Sequence, residues 1–197
     1  MTGAGAPAAV TVLRTADRRA VAWKNGGGVT REIAAWPEGA GMDDFAWRVS
    51  LAEVAADGPF SVFPGVDRTL TLAEGAGMRL TMAGAMRSVS ERYVPERFPG
   101  DAPTHCRLLD GPVVNFNVMH RRGLAPADTA VVRGALALAS EPGTALLIVP
   151  LAGPADLTLP DGGTVHLARH DAALLRAPAG ARLHAPTPTA VVHLPTP

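Results

Sequence analysis

The chain has 197 residues, 47% hydrophobic and 18% charged, which suits a globular protein with a sizeable core in one large or two small domains. Lys plus Arg and Asp plus Glu both number 18, so no net basic charge is available to neutralise phosphates, and neither a direct nucleic-acid role nor membrane-surface binding is expected. The single Cys106 has no internal disulfide partner and no zinc-type Cys/His spacing around it; with no leader-like N-terminus and no long apolar run, a cytoplasmic location is expected.

In chain order, 21 Gly and 18 Pro cut the sequence into short apolar runs bounded by turn residues, which favours strands over helices. Residues 1–8 read as a loose tail, Ala9 to Arg14 as a first strand, and Thr15 to Arg19 as a turn or short helical start. The stretch Trp23-Lys24-Asn25-Gly26-Gly27-Gly28-Val29-Thr30-Arg31-Glu32 then gathers an aromatic, a cation, an amide, three glycines, a hydroxyl and an Arg-Glu pair. Lys24 is the only Lys, and Asn25 shares its residue type only with Asn115 and Asn117, in a chain rich in Ala, Gly, Pro and Arg. Residue types that persist against such a bias point to a demand at their positions.

Thr30 to Trp36 reads as a strand stopped by Pro37, and Gly39 to Asp44 as a loop. Phe45 to Val54 alternates: Phe45, Trp47, Val49 and Leu51 make a bulky apolar face, while Ala46, Arg48, Ser50 and Ala52 make a small face suited to solvent or to a cavity wall. Asp57-Gly58-Pro59 is a turn and Phe60 to Phe63 a short strand; Asp67 to Leu72 and Met78 to Met82 form a hairpin around Glu74-Gly75-Ala76-Gly77. Arg87 to Val94 alternates weakly, and Pro95 to Pro103 is a turn-rich connection. Val113 to His120 pairs the apolar Val114, Phe116 and Val118 with Asn115, Asn117 and Met119 on the other face.

A boundary follows over Arg121 to Asp128, dividing the chain into 8–122 and 123–197, with strands exchanged across the boundary allowed. Beyond it come short strands at Ala130 to Ser140, Thr144 to Leu151, Ala155 to Leu159, Thr164 to Ala168, Ala172 to Arg176, Ala181 to Ala185 and Thr189 to Leu194; Gly134 to Ser140 is open between helix and strand. Such spacing indicates an all-β sandwich or barrel.

The motifs from Trp23 to Glu32, Phe45 to Ala52, Gly58-Pro59-Phe60-Ser61, Phe63 to Arg68 and Asn117-Val118-Met119 resemble the HutD/Ves family over about residues 8–122. The resemblance implies a bicupin, two cupin-like β-barrels in one chain. It also implies an association with bacterial histidine utilisation, in which members act as a brake by sensing a small metabolite. The family pattern reads Asp-x-Asn-Val-Met at the last motif, where this chain has Asn115, so the charge of the site is expected to differ.

Among the residues themselves, Arg48 and Arg68 suit carboxylate clamping through the guanidinium fork, or salt bridges to Glu32 or Asp67. The glycines suit an anion cradle or a tight loop into a strand, with Lys24 and Asn25 projecting beside them. Trp23 suits stacking on a planar ligand or plugging a barrel end. Glu32 with Lys24 suits proton transfer or charge balance. The six His contain no His-x-His and His166 and His170 are four apart, so neither a metal nor another cofactor is expected. Cys106 and His105, as strand neighbours, point apart, so Cys106 is structural.

The expectation is a metal-independent protein that binds a small anionic metabolite such as urocanate or a formylglutamate-like acid through Trp23, Lys24, Asn25, Glu32, Arg48, Ser50, Arg68 and Asn117, and regulates catabolic flux. The alternative is a metal-independent isomerase, epimerase or hydrolase of a small acid using Glu32 and Lys24. A homodimer is compatible with either.

Overall fold

The computed structural model describes residues 10–124, 126–140, 142–176 and 179–196. The tail over residues 1–8, and Ala9 at the head of the first expected strand, lie outside them. Among the described residues, regular structure is all strand apart from one 3-10 turn at Thr15–Asp17, as the turn chemistry implies. No helix among the described residues is long and apolar enough to cross a membrane. The strands in chain order are β1 (Val10–Leu13), β2 (Ala20–Ala22), β3 (Gly28–Trp36), β4 (Trp47–Val54), β5 (Gly58–Pro59), β6 (Val66–Glu74), β7 (Met78–Met82), β8 (Ala85–Val89), β9 (Pro95–Pro99), β10 (Thr104–Leu108), β11 (Val113–Arg121), β12 (Asp128–Ala137), β13 (Thr144–Pro150), β14 (Ala155–Thr158), β15 (Thr164–Leu167), β16 (Ala172–Leu175) and β17 (Arg182–Pro195). The chain forms two compact units, residues 15–131 and residues 10–14 with 132–196, whereas turn chemistry alone suggests a division at 122/123.

In the unit of residues 15–131, a six-stranded sheet runs β2-β3-β4-β11-β6-β9 and a four-stranded sheet runs β5-β10-β7-β8. Leu70, Leu72, Val54 and Val113 from the larger sheet cluster with Met78, Leu80, Met82 and Cys106 from the smaller. The expected β6–β7 hairpin does not form, because the two strands belong to different sheets. Gly75 (φ 94°) and Gly77 (φ 111°) turn the chain between them, and a Cβ at Gly77 would run into the main chain of Val89 and Ser90.

Phe60 to Phe63 is not a strand either. It holds only separate main-chain bonds, Phe60 N donating to Thr104 O (2.8 Å) and Phe63 N to Gly100 O (2.9 Å), while Gly58–Pro59 pairs with β10. Pro95–Pro99, expected as a connection, is an edge strand against β6, where a missing N–H can face outward.

In the other unit, one sheet runs β1-β16-β13-β17-β14-β15, with β12 also paired to β17. Gly134 to Ala137 therefore resolves as strand. The two segments expected at Ala181 to Ala185 and Thr189 to Leu194 are one strand, β17. Arg182 to His184 pairs with β14 and Thr189 to Pro195 with β13, and Pro186 and Pro188, which cannot donate, fall where the strand changes partner. Leu146, Ile148, Leu157, Leu183 and Val191 pack in its apolar core.

Candidate functional site

The site grows out of strand alternation. Directly opposed residues on neighbouring strands share a sheet face. The register of β3, β4, β11 and β6 therefore sets side chains in rows on one face. Thr30, Ala52 and Asn115 form one row; Glu32, Ser50, Asn117 and Leu70 form the next; Arg48, Met119 and Arg68 form a third. A bulge at Ile33 shifts the β3 register after Glu32, and Ile33 itself is buried. These rows floor a cavity of about 800 Å³ whose walls include Trp23, Phe60 and Phe63 and whose rim includes Lys24, Asn25 and Met42. That volume suits a small-molecule ligand.

Trp23, Lys24, Asn25, Glu32, Arg48, Ser50, Arg68 and Asn117 all line this one cavity. Their surroundings differ. Arg48 Nε donates to Glu32 Oε2 at 2.6 Å, with Arg48 largely buried and Glu32 more open. Glu32 is thus partnered by Arg48 rather than by Lys24. Asp67, the neighbour that a salt-bridge reading assigns to Arg68, pairs with Arg122 instead (2.8 Å).

Arg68 makes no hydrogen bond or ion pair among the described residues, and its Nε is shielded from solvent without a partner. Its guanidinium lies 5.2 Å from the ring centroid of Phe60, 5.7 Å from Phe63 and 5.1 Å from Phe98. Ring faces attract the cation but do not neutralise it. Burial pulls the Arg68 pKa down to about 10, so it still carries its proton near neutrality.

The glycine stretch is structural in detail. Gly26 N donates to Trp23 O (3.0 Å), and Gly27 N donates to Asn25 Oδ1 (3.0 Å), so two of the amides that an anion cradle would use are already engaged. A Cβ on Gly28 would collide with the Glu53 carbonyl oxygen and stand 3.2 Å from the Trp23 ring. The indole N–H of Trp23 donates to Thr30 Oγ1 (2.8 Å), and its ring meets Phe60 edge-on at 6.4 Å. Trp23 therefore walls the cavity as a fixed plate. Lys24 is exposed at the rim and has no partner among the described residues.

Asn115 and Asn117 are 1% and 5% exposed, and the Oδ1 of each finds no partner among the described residues. Cys106 is buried while His105 is exposed; burial and the Asp57 charge push the thiol up to about 11, so it is a core group and not a nucleophile at neutral pH. The described lining contains no His, and no cluster of three His, Cys, Asp or Glu among the described residues is placed to hold a metal ion. The aromatic ring set around Arg68 has no assignment from the sequence, and Asn115 stands out there only as a departure from the family pattern. Their signals were present in Phe60, in Phe63 and in the alternation of Val113 to His120, but only the fold brings Phe98 beside them.

A family model described as HutD matches residues 15–192. Protein Ves of Cronobacter sakazakii is 41% identical over 110 residues, 55% of this chain and 59% of that protein, so the chain spans under two thirds of that relative. Protein Ves of Citrobacter koseri is 34% identical over 158 residues, 78% of this chain and 82% of that protein. The structure of HutD from Pseudomonas fluorescens SBW25, in a formate condition, superposes with a TM-score of 0.83 at 31% identity, covering 96% of this chain and 100% of that one. A cupin 2 conserved barrel domain protein from Leptotrichia buccalis superposes with a TM-score of 0.56 at 14% identity over 89% of this chain and 92% of its own, which shows a cupin-like fold.

Proposed function

Because the chain belongs to the HutD family, we propose that it binds a small anionic intermediate of bacterial histidine utilisation, urocanate or a formylglutamate-like acid, and limits expression or flux of that pathway. The observation that carries this reading is Arg68. A buried cation held among three rings with no counter-charge among the described residues is costly, and a ligand carboxylate would supply that charge and accept from its fork. Arg48, already tied to Glu32, forms the opposite side of the same row, and Lys24 at the rim would draw anions inward. Binding would need no metal, since the donors are protein cations and amides, and the protein would act in the cytoplasm.

Calorimetric titration with urocanate and with formylglutamate tests the reading. Millimolar or tighter binding to one of them is expected, falling about 10- to 100-fold in Arg68→Met, the range for losing charge-assisted hydrogen bonds. Absence of binding to both overturns the ligand assignment.

A further inference from the structure

We propose that the cavity selects carboxylates whose far end carries a neutral N–H donor, received by the amide oxygens of Asn115 and Asn117, that the preference for N–H depends on Asn117, and that the uncharged side chain of Asn115 is what disfavours an ammonium group. The inference rests on Arg68 as the anion site and adds the chemistry of the other end of the ligand.

Amide orientation comes first. Asn117 Nδ2 donates to the main-chain oxygen of Asn115 at 3.4 Å. A carbonyl can only accept, so the NH2 group must face it and Oδ1 must turn away. Asn115 Nδ2 points to Met78 Sδ at 3.9 Å, a sulfur that also accepts from Cys106 Sγ at 3.6 Å. Thioether sulfur has no hydrogen to give, which again leaves Oδ1 as the open atom. Both oxygens therefore want donors, in side chains almost wholly removed from water. A buried acceptor in that state costs free energy until a donor meets it.

Placement makes the two needs one site. Asn115 and Asn117 are two residues apart on β11 and face the same side. Arg68 lies opposite Met119, so Asn117 is its diagonal neighbour on the adjacent strand, about 7–8 Å away between Cα atoms. A short molecule can meet both.

Charge decides the kind of donor. Glu32 is the only carboxylate among the described lining residues, and Arg48 already engages it. An ammonium group at the Asn end would be desolvated with no negative charge to balance it, while an amide or azole N–H would satisfy the oxygens without that cost.

The test is calorimetry of the full chain with four probes: hexanoate, 4-acetamidobutanoate, its N-methyl derivative and 5-aminopentanoate. The wild-type protein is expected to bind 4-acetamidobutanoate about tenfold more tightly than the N-methyl derivative. In Asn117→Leu that ratio should collapse to within about twofold, which separates a lost hydrogen bond from added bulk, because bulk would penalise the methyl group in both proteins. Asn115→Asp should reverse the order of the amide and ammonium probes, and it decides the matter if Asn117→Leu does not fold. Equal binding of the N–H and N-methyl probes, or a preference that survives Asn117→Leu, overturns this inference while hexanoate binding leaves the anion site standing. Failure of all four probes to bind overturns both.

Discussion

In the unit of residues 10–14 and 132–196, the core of β13, β14, β16 and β17 is wholly apolar: Leu146, Ile148, Leu157, Leu175, Leu183 and Val191 pack with Ala155, Ala173 and Ala185. In the unit of residues 15–131, the cavity-facing positions of β4 and β11 are Arg48, Ser50, Ala52, Val54, Asn115, Asn117 and Met119. Both sets arise from the same two-residue alternation in antiparallel strands. The aliphatic face packs into a buried apolar cluster. The second face cannot, since its Arg and Asn groups require partners that Leu or Ile would not supply. A shared strand grammar thus yields a packed interior in one unit and a lined space in the other.

The largest expected effect tests the packed side. Leu157 has 0% exposure in the apolar core, and Leu157→Ala should cost about 2–5 kcal/mol by denaturant unfolding, through lost burial and the void left behind. A cost under about 1 kcal/mol would mean that this interior can relax, and the contrast with the cavity unit would weaken. Next is Gly28→Ala, about 2–3 kcal/mol, because its new methyl group meets the Glu53 carbonyl, a main-chain atom held in the β3–β4 ladder. Gly27→Ala is the matched control. Its Cβ would stand 3.3 Å from Asn25 Oδ1, the end of a side chain, and should cost distinctly less. Equal costs would show that the loop is indifferent to close packing and return weight to a ligand-facing role for its backbone.

Much of this contrast can be read in the residues alone. The alternation of Phe45 to Val54 separates Trp47, which is core, from Arg48 and Ser50, which line the cavity, because a period of two leaves no other choice. The same logic puts Asn115 beside Asn117. What local pattern cannot supply is which strands become neighbours. Gly75 and Gly77 look like a hairpin turn, yet their backbone carries the chain from one sheet to the other. Phe98, in a segment that reads as turns, reaches Arg68 only because Pro95–Pro99 pairs with β6. Nor does sequence adjacency identify the ionic partners: Asp67 follows Val66 on the strand that carries Arg68, but strand alternation sends its carboxylate to Arg122.

A smaller effect, of opposite sign, tests the lined side. Arg68→Met removes a charge that burial disfavours and keeps an unbranched, flexible apolar side chain, shorter by the guanidinium group, beside Phe60, Phe63 and Phe98. The lost cation–π attraction offsets part of the gain, so the ligand-free protein should become more stable by about 1 kcal/mol while its affinity for carboxylates falls. Thermal unfolding beside calorimetry reads both. Loss of stability in the variant would make Arg68 a packing residue and remove the functional side of the comparison between the two units.

The smallest expected effect is the absence of one. An anion site built on histidine would lose affinity as pH rises through the ordinary imidazole range, but no His is found in the described lining and the cation in question is Arg68. Burial lowers its pKa to about 10, and a base binds an anion in its protonated form, so the competent state is full at neutral pH and is lost only as pH rises through about 10. A bound carboxylate would favour the protonated form and move that loss higher still. Hexanoate, whose own proton is gone by about pH 6, should therefore bind with constant affinity from about pH 6 to 9 and weaken above about 10. Lys24 is the other cation at the cavity without a partner among the described residues, so Lys24→Met should keep the flat profile and the alkaline loss if Arg68 is the anion's partner. A step between about pH 6 and 7.5 would instead place a titrating imidazole at the carboxylate, which the rows of Arg48, Met119 and Arg68 do not contain.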